Sequence, residues 1–232
     1  MLDRRGLLAG SAALLAAGAA RAQTPNSDLY LTGRFVQGGH ALGRTWPRAL
    51  DIAPGDFPVT RVDGLPPATV EPSDPALLAR IAREVELKTE GFASRIDADH
   101  FRDGFVWPLT GFRVSSRWGA QRVLNGTPAR PHYGIDLAAP LGTDIRAPAA
   151  GRVTLAEPDL HFEGGLTLID HGQGLITAYL HQSRIDVRAG QDVRRGDSLG
   201  KVGMSGRATG PHLCWRMKWR NRNMDPSLLT RT

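Results

Sequence analysis

His212 and Cys214 stand two residues apart in the stretch R-A-T-G-P-H-L-C-W-R-M-K-W, residues 207–219. An extended chain sends alternate side chains to opposite faces, so these two emerge together while Leu213, Trp215, Met217 and Trp219 form an apolar face behind them. A strand anchored by two tryptophans and presenting two soft donors is what a rigid metal or acid/base site needs. Upstream, His132 and Asp136 lie four residues apart in P-H-Y-G-I-D. Pro131 and Gly134 argue there for bent, extended chain, which can also converge an imidazole and a carboxylate on one ion. His181 ends the run Leu175 to His181, in which Leu175, Thr177, Tyr179 and His181 share a face. That run reads as a hairpin with Leu166 to Asp170, closed by H-G-Q-G. His171 in the turn and His161 read as structural histidines, and His40 as a surface one.

The elements that must position these residues differ along the 232-residue chain. The start, M-L-D-R-R-G-L-L-A-G-S-A-A-L-L-A-A-G-A-A-R-A-Q, has a basic head, an apolar run and a small-residue cleavage pattern, so residues 1–22 read as an export signal. Arg4-Arg5 before the apolar run gives it a twin-arginine character. The run is too short to serve as a stable membrane span. Three arginines and one aspartate leave with the signal, so the formal charge falls by two, from +6 to +4. Such a mildly basic chain suits weak attraction to an anionic wall polymer. It shows no aromatic-interleaved basic patch that would argue for nucleic acid. Cys214 is the single cysteine, which leaves a free thiol in an oxidising compartment unless a metal covers it.

Residues 23–70 read as a small β module, with alternating Leu29, Leu31 and Phe35 and a Pro54-Gly55-Asp56 turn before Phe57 and Val59. Residues 71–104 form a helical connector opened by Asp74 as N-cap and Pro75 at the first position. Leu77, Leu78, Ile81, Val85 and Leu87 recur at helical spacing as its packing face, and Arg80, Arg83, Glu84, Glu86 and Lys88 read as a solvated side. From residue 105 to 232 short apolar strands alternate with glycine-bearing turns, as in an antiparallel sheet or sandwich. The whole is predicted to be mainly β.

The order H-x-x-x-D, Y-L-H, G-P-H-x-x resembles the M23 family of zinc metallopeptidases, the lysostaphin-like or LytM-type peptidoglycan endopeptidases. The likeness runs from about Trp107 to Pro226 through W-P-L-T-G, P-H-Y-G-I-D-L-A-A-P-L-G-T, D-H-G-Q-G-L, A-Y-L-H and S-G-R-A-T-G-P-H-L. The β module and helix before it are similar to what precedes this domain in periplasmic members. The resemblance implies that His132 and Asp136 bind one zinc ion. It makes His181 and His212 the pair that activates the attacking water and steadies the oxyanion. The remaining family ligand is the second histidine of an H-x-H pair, and here that position is Cys214. Thiolate is an ordinary zinc ligand, with Zn–S near 2.3 Å against about 2.0–2.1 Å for Zn–N, so Cys214 can complete the set. A thiolate and a carboxylate together cancel the ion's charge, which predicts a slower enzyme or a more alkaline optimum.

The expected activity is hydrolysis of the peptide cross-links of bacterial peptidoglycan in the periplasm. A second reading is a degenerate module that binds wall peptides or regulates a partner wall hydrolase or divisome protein. A third is a cysteine peptidase using Cys214 with His181 or His212 as base, which would leave His132 and Asp136 without a purpose.

Overall fold

The computed structural model describes residues 32–33, 41–42 and 55–230. The proposed export signal and His40 lie outside the described residues. Contacts divide the chain into two units, residues 1–54 and 55–232. In the first, β1 (Thr32–Gly33) pairs antiparallel with β2 (Ala41–Leu42). The strand signals at Leu29, Leu31 and Phe35 are outside the described residues. The second unit contains β3 (Val59–Val62), α1 (Pro67–Val70), α2 (Pro75–Ala93), β4 (Arg113–Ser116), β5 (Gln121–Leu124), β6 (Thr127–Pro128), β7 (Ile135–Ala138) and β8 (Asp144–Arg146). It continues with β9 (Gly151–Leu160), β10 (Gly164–Asp170), β11 (Leu175–Ile185), β12 (Asp192–Val193), β13 (Ser198–Val202), β14 (His212–Trp219) and β15 (Arg222–Met224). No helix among the described residues is long and apolar enough to cross a membrane.

Ten of these strands form one antiparallel sheet whose main order is β12-β9-β10-β11-β14-β7-β4. The fold is therefore mainly β, as the sequence predicts. Alternation on β14 divides the sheet into two faces. Leu213, Trp215 and Met217 join Ile135, Leu137, Tyr179, Ile145 and Leu199 in one core, while Cys214 lies with Leu155, Leu166, Leu168, Ile176, Ala178 and Leu180 on the other. Trp219 does not anchor the strand as expected. It is 46% exposed, because it pairs only with Leu175 at the start of β11 and with Arg222 beyond the turn.

Residues 55–104 belong to the same unit as the large sheet. Two contacts tie residues 55–104 to the large sheet's unit. The first is β3, which forms a parallel ladder with β5, the one departure from antiparallel pairing among the described strands. The second is α2, which begins as predicted with Asp74 accepting from the Leu77 N–H at 2.7 Å and Pro75 in its first turn.

The face that α2 buries differs from the expected one. Leu78 and Val85 are 45% and 50% exposed, whereas Glu84 and Gly91 are buried. Glu84 accepts from Arg80 Nε at 2.6 Å and from the His161 backbone N–H at 2.9 Å, and Lys88 reaches Glu163 at 2.7 Å. The helix meets the β9–β10 turn, whose backbone donors need partners, so charged side chains turn inward. At Gly91 the helix comes so close that a Cβ would lie 2.8 Å from Leu168 Cδ1.

His171 is structural, as predicted, and wholly buried. Its Nδ1–H donates to the Ala150 carbonyl at 2.6 Å, and its Nε2 accepts from Thr177 Oγ1 at 2.7 Å, which in turn accepts from the Tyr179 hydroxyl at 2.8 Å. This chain requires a neutral imidazole. Burial pushes His171 down to about 4 from 6.5. Between those values the unfolded chain holds the proton that the folded chain refuses, so stability falls as pH is lowered through that window and is unaffected above it. The full loss is about 3 kcal/mol. The urea midpoint of the native protein should therefore drop between pH 7 and pH 4.5 more steeply than that of His171→Gln, which keeps a donor and an acceptor. Equal slopes would refute the assignment.

Candidate metal centre

Register places the first two site residues. In the β7–β14 ladder Cys214 sits opposite Asp136, and His212 opposite Ala138. Directly paired residues share a face, so Asp136, Cys214 and His212 project together from the side opposite the Trp215 core. His132 lies three residues before β7 and is pinned by its own backbone, donating to the Ala120 carbonyl at 2.8 Å and accepting from the Gly119 N–H at 2.7 Å. Its ring reaches the same face: Nε2 is 3.2 Å from Cys214 Sγ and 3.1 Å from Asp136 Oδ1.

His181 reaches the site by a different route from the one expected. Strict alternation would put it with Thr177 and Tyr179, on the Trp215 side. Instead φ at His181 is +65°, and the β10–β11 register slips between Tyr179 and Gln182. Such a bulge re-aims a side chain. The His181 ring lies 4.7 Å from the His212 ring, centroid to centroid. Its Nδ1–H donates to the Ser205 carbonyl at 2.8 Å, and that of His212 to the Gly210 carbonyl at 2.8 Å. A carbonyl can only accept, so in the neutral form of either ring it is Nε2 that carries the lone pair.

The residues fit a metal ion. The ligand atoms of His132, Asp136 and Cys214 all lie within 4.8 Å of one another, and all three side chains are buried. Asp136 Oδ1 is buried and is approached only by the His132 ring at 3.1 Å, without a well-aligned hydrogen bond, which leaves most of its acceptor capacity unused. Gly134 keeps the space open, since a Cβ there would lie 3.0 Å from Cys214 Sγ and 3.2 Å from His132 Nε2. The donor set of one imidazole, one carboxylate and one thiolate is one that zinc accepts.

The electrostatics suit that use. Burial alone would raise Asp136, but His132 and the Arg122 guanidinium outweigh it and hold the carboxyl well below the usual range. Burial lowers His132 and takes His181 down to about 3 with help from His212, so both rings are neutral near pH 7. Burial pushes the Cys214 thiol up to about 12, against the pull of Arg216. Without an ion the sulfur is therefore a thiol. A thiol so strongly protonated is a poor nucleophile, and its histidine neighbour is His132 rather than His181 or His212, which counts against a cysteine peptidase.

Sequence reasoning missed three supporting residues. Ser116 lies opposite Asp136 in the β4–β7 ladder, and its Oγ is 3.2 Å from His132 Nδ1. Arg122 donates to Asp136 Oδ2 at 2.6 Å. Arg216 Nε donates to Cys214 Sγ at 3.3 Å. Only Arg216 had a local signal, being two residues beyond Cys214 on the same strand face. Asp136, His212, Arg122 and Ser116 line a cavity of 350 Å³.

Fold and donor set are those of a mainly β protein with a candidate metal centre. Residues 130–226 match the model of Peptidase family M23. A solved chain from Pseudomonas aeruginosa, assigned to peptidase M23, is 33% identical with a TM-score of 0.61, covering 83% of this chain and 68% of that one. A zinc containing peptidase from Vibrio cholerae is 31% identical with a TM-score of 0.50, covering 53% and 39%. Peptidoglycan DD-endopeptidase ShyA of Vibrio cholerae is 38% identical over 112 residues, 48% of this chain and 26% of ShyA. The chain thus spans about a quarter of that relative's length. It belongs to Peptidase family M23.

Partners of metal-binding histidines contribute about ten- to a hundredfold to metal affinity. Ser116→Ala should weaken zinc binding by that factor in competition with a chromophoric chelator, with little change in the melting temperature of the chelator-treated protein. Unchanged affinity would remove Ser116 from the site.

Proposed function

We propose that this chain is a zinc-dependent endopeptidase that hydrolyses peptide cross-links of bacterial peptidoglycan, in the periplasm after export. The observation that carries the reading is the convergence of His132 Nε2, Asp136 Oδ1 and Cys214 Sγ within 4.8 Å, beside two histidines whose Nε2 lone pairs are free. Likeness to wall endopeptidases such as ShyA supports the substrate class.

His132, Asp136 and Cys214 would hold the zinc. When bound, the ion supplies a Lewis acid that polarises the scissile carbonyl and acidifies the attacking water, an effect blunted by the negative charges of Asp136 and Cys214. The chain's own residues then move the proton. A neutral His181 or His212 accepts it at Nε2, because each Nδ1 is tied to a carbonyl. The ring that gains it becomes a donor at that atom and can stabilise the tetrahedral oxyanion or protonate the leaving amine. With ring centroids 4.7 Å apart, two imidazoliums would repel, so the second ring stays neutral while the first is charged.

A second reading keeps the binding and drops the chemistry: a module that holds wall peptides or regulates a partner hydrolase. Arg122 on Asp136 and Arg216 on Cys214 favour it, since both ligands already have cationic partners.

Elemental analysis of the purified mature protein separates the two. The hydrolase reading expects about one zinc per chain, lost in Cys214→Ser and kept in Cys214→His, together with cleavage of cross-linked muropeptides. Absence of zinc from the native protein, with recovery only in Cys214→His, would establish the binding module. His212→Ala should lower kcat by about 10²- to 10⁴-fold with zinc retained; unaltered turnover would refute the proton-transfer scheme. Cys214→His should turn over faster than native, with its optimum displaced to lower pH.

A further inference from the structure

A second and larger cavity, of 740 Å³, opens from the other side of His132 and Arg122. It runs along the polar face of β14 beneath α2, and its wall holds six cationic side chains, Lys88, Arg122, Arg130, Arg207, Arg216 and Lys218, against one carboxylate, Glu163. Lys88 Nζ contacts its Oε1 at 2.7 Å, and its Oε2 is buried without a hydrogen-bond partner. Arg122 is committed to Asp136 through one terminal nitrogen, and its Nε is buried without a partner.

Among the described residues the other cations form no direct ion pair, although Glu163 lies near enough to Arg207 and Arg216 to favour their charge. Arg207 donates once, to the Thr69 carbonyl at 3.2 Å, and its guanidinium lies 4.9 Å from the Phe162 ring. Arg216 spends its Nε on Cys214 Sγ, and among the described residues its terminal nitrogens make no hydrogen bond. Lys218 Nζ sits 4.1 Å from the Phe92 ring and forms no ion pair. Burial, then Arg216 and Arg122, push Arg207 below its ordinary value, and burial and Arg216 do the same to Lys218. Like charges gathered in a concave, partly desolvated wall are unfavourable unless an anion joins them. Ring contacts and a backbone carbonyl nevertheless hold Arg207 and Lys218 in place, so the cations are set in position before any anion arrives.

Building on the peptidase reading above, we propose that this cavity is a carboxylate subsite in which Arg207, Arg216 and Lys218 receive a free carboxylate of the wall peptide beside the bond to be cut. Arg207 and the free end of Arg216 present planar N–H pairs suited to a carboxylate, and Lys218 adds a point charge. Arg122 and Arg207 line both this cavity and the 350 Å³ one that contains Asp136 and His212. A carboxylate held on one side thus leaves the neighbouring peptide bond facing the donor set and the two histidines on the other. The preference would be for peptides with a free acid near the scissile bond over their amides.

The test measures binding separately from turnover. The full-length mature chain, treated with a chelator so that it cannot turn over under the zinc reading, is titrated calorimetrically with a muropeptide dimer. The same dimer with its free carboxylates converted to amides is the comparison. Charge-assisted hydrogen bonds predict a preference of about ten- to a hundredfold for the free acid, weakening with added salt. In Arg207→Gln/Lys218→Gln the preference should collapse towards unity, while Arg207→Lys/Lys218→Arg should restore part of it, a result that general damage to the fold would not give. Equal binding of the two dimers by the native chain, no binding of either, or a preference that survives in the double glutamine variant would each overturn the subsite. Muropeptide cleavage by the zinc-loaded chain reports on the hydrolase reading independently. Cleavage without acid preference sinks the subsite alone, and acid preference without cleavage sinks the hydrolase alone.

Discussion

The pairing of β14 between β7 and β11 is the constraint on which the rest of the centre depends. One register puts Cys214 opposite Asp136 and, on the other side, opposite Leu180. A slip of one residue would send Cys214 into the Trp215 core and Trp215 into the cleft. The cost of burying Trp215, Leu213 and Met217 anywhere else fixes the register, and all three are fully buried where they are. The apolar face thereby positions the polar one. The candidate metal donors need no loop to find each other, since two come from paired strands and the third from a segment held by backbone hydrogen bonds to Gly119 and Ala120.

Charge is the second organising theme. A buried carboxylate, a buried thiol and the His132 imidazole converge around Asp136 Oδ1, which only that ring approaches, and an ion of charge two is the partner that would satisfy them together. Around them stand Arg122 and Arg216, one on Asp136 and one on Cys214. These guanidiniums hold the ligands in place without an ion and would compete with it for their charge. The Cys214 sulfur and the Arg216 head belong to one strand face, so the unusual ligand and its cation are best understood as a pair. The same cations continue into the large cavity, where the protein supplies no further carboxylate to meet them.

Residues before the sheet contribute walls more than chemistry. β3 extends the β5–β6 ladder beside the centre, Thr69 receives Arg207, and α2 roofs part of the β14 face through Lys88 and Phe92. The inward turn of Glu84 and Lys88 shows why a helix's packing face cannot be read from hydrophobicity alone. The surface it met offered backbone N–H groups and a carboxylate, and satisfying those outweighed burying Leu78 and Val85.

Much of this was legible in the sequence. Alternation along residues 212–219 assigned the two faces of β14, the Asp74-Pro75 pair marked the start of α2, and the ordered H-x-x-x-D, Y-L-H and G-P-H pieces identified the fold and the candidate donors. These signals are local, since a strand's period and a helix cap are properties of a few consecutive residues. Tertiary structure alone decided the bulge that turns His181 out of its alternating face, the inward face of α2, the exposure of Trp219, and the arrival of Ser116 and Arg122 at His132 and Asp136. Each of these depends on which distant strand lies alongside and at what register, and that choice is made by packing across the sheet, where no short stretch of sequence carries the information.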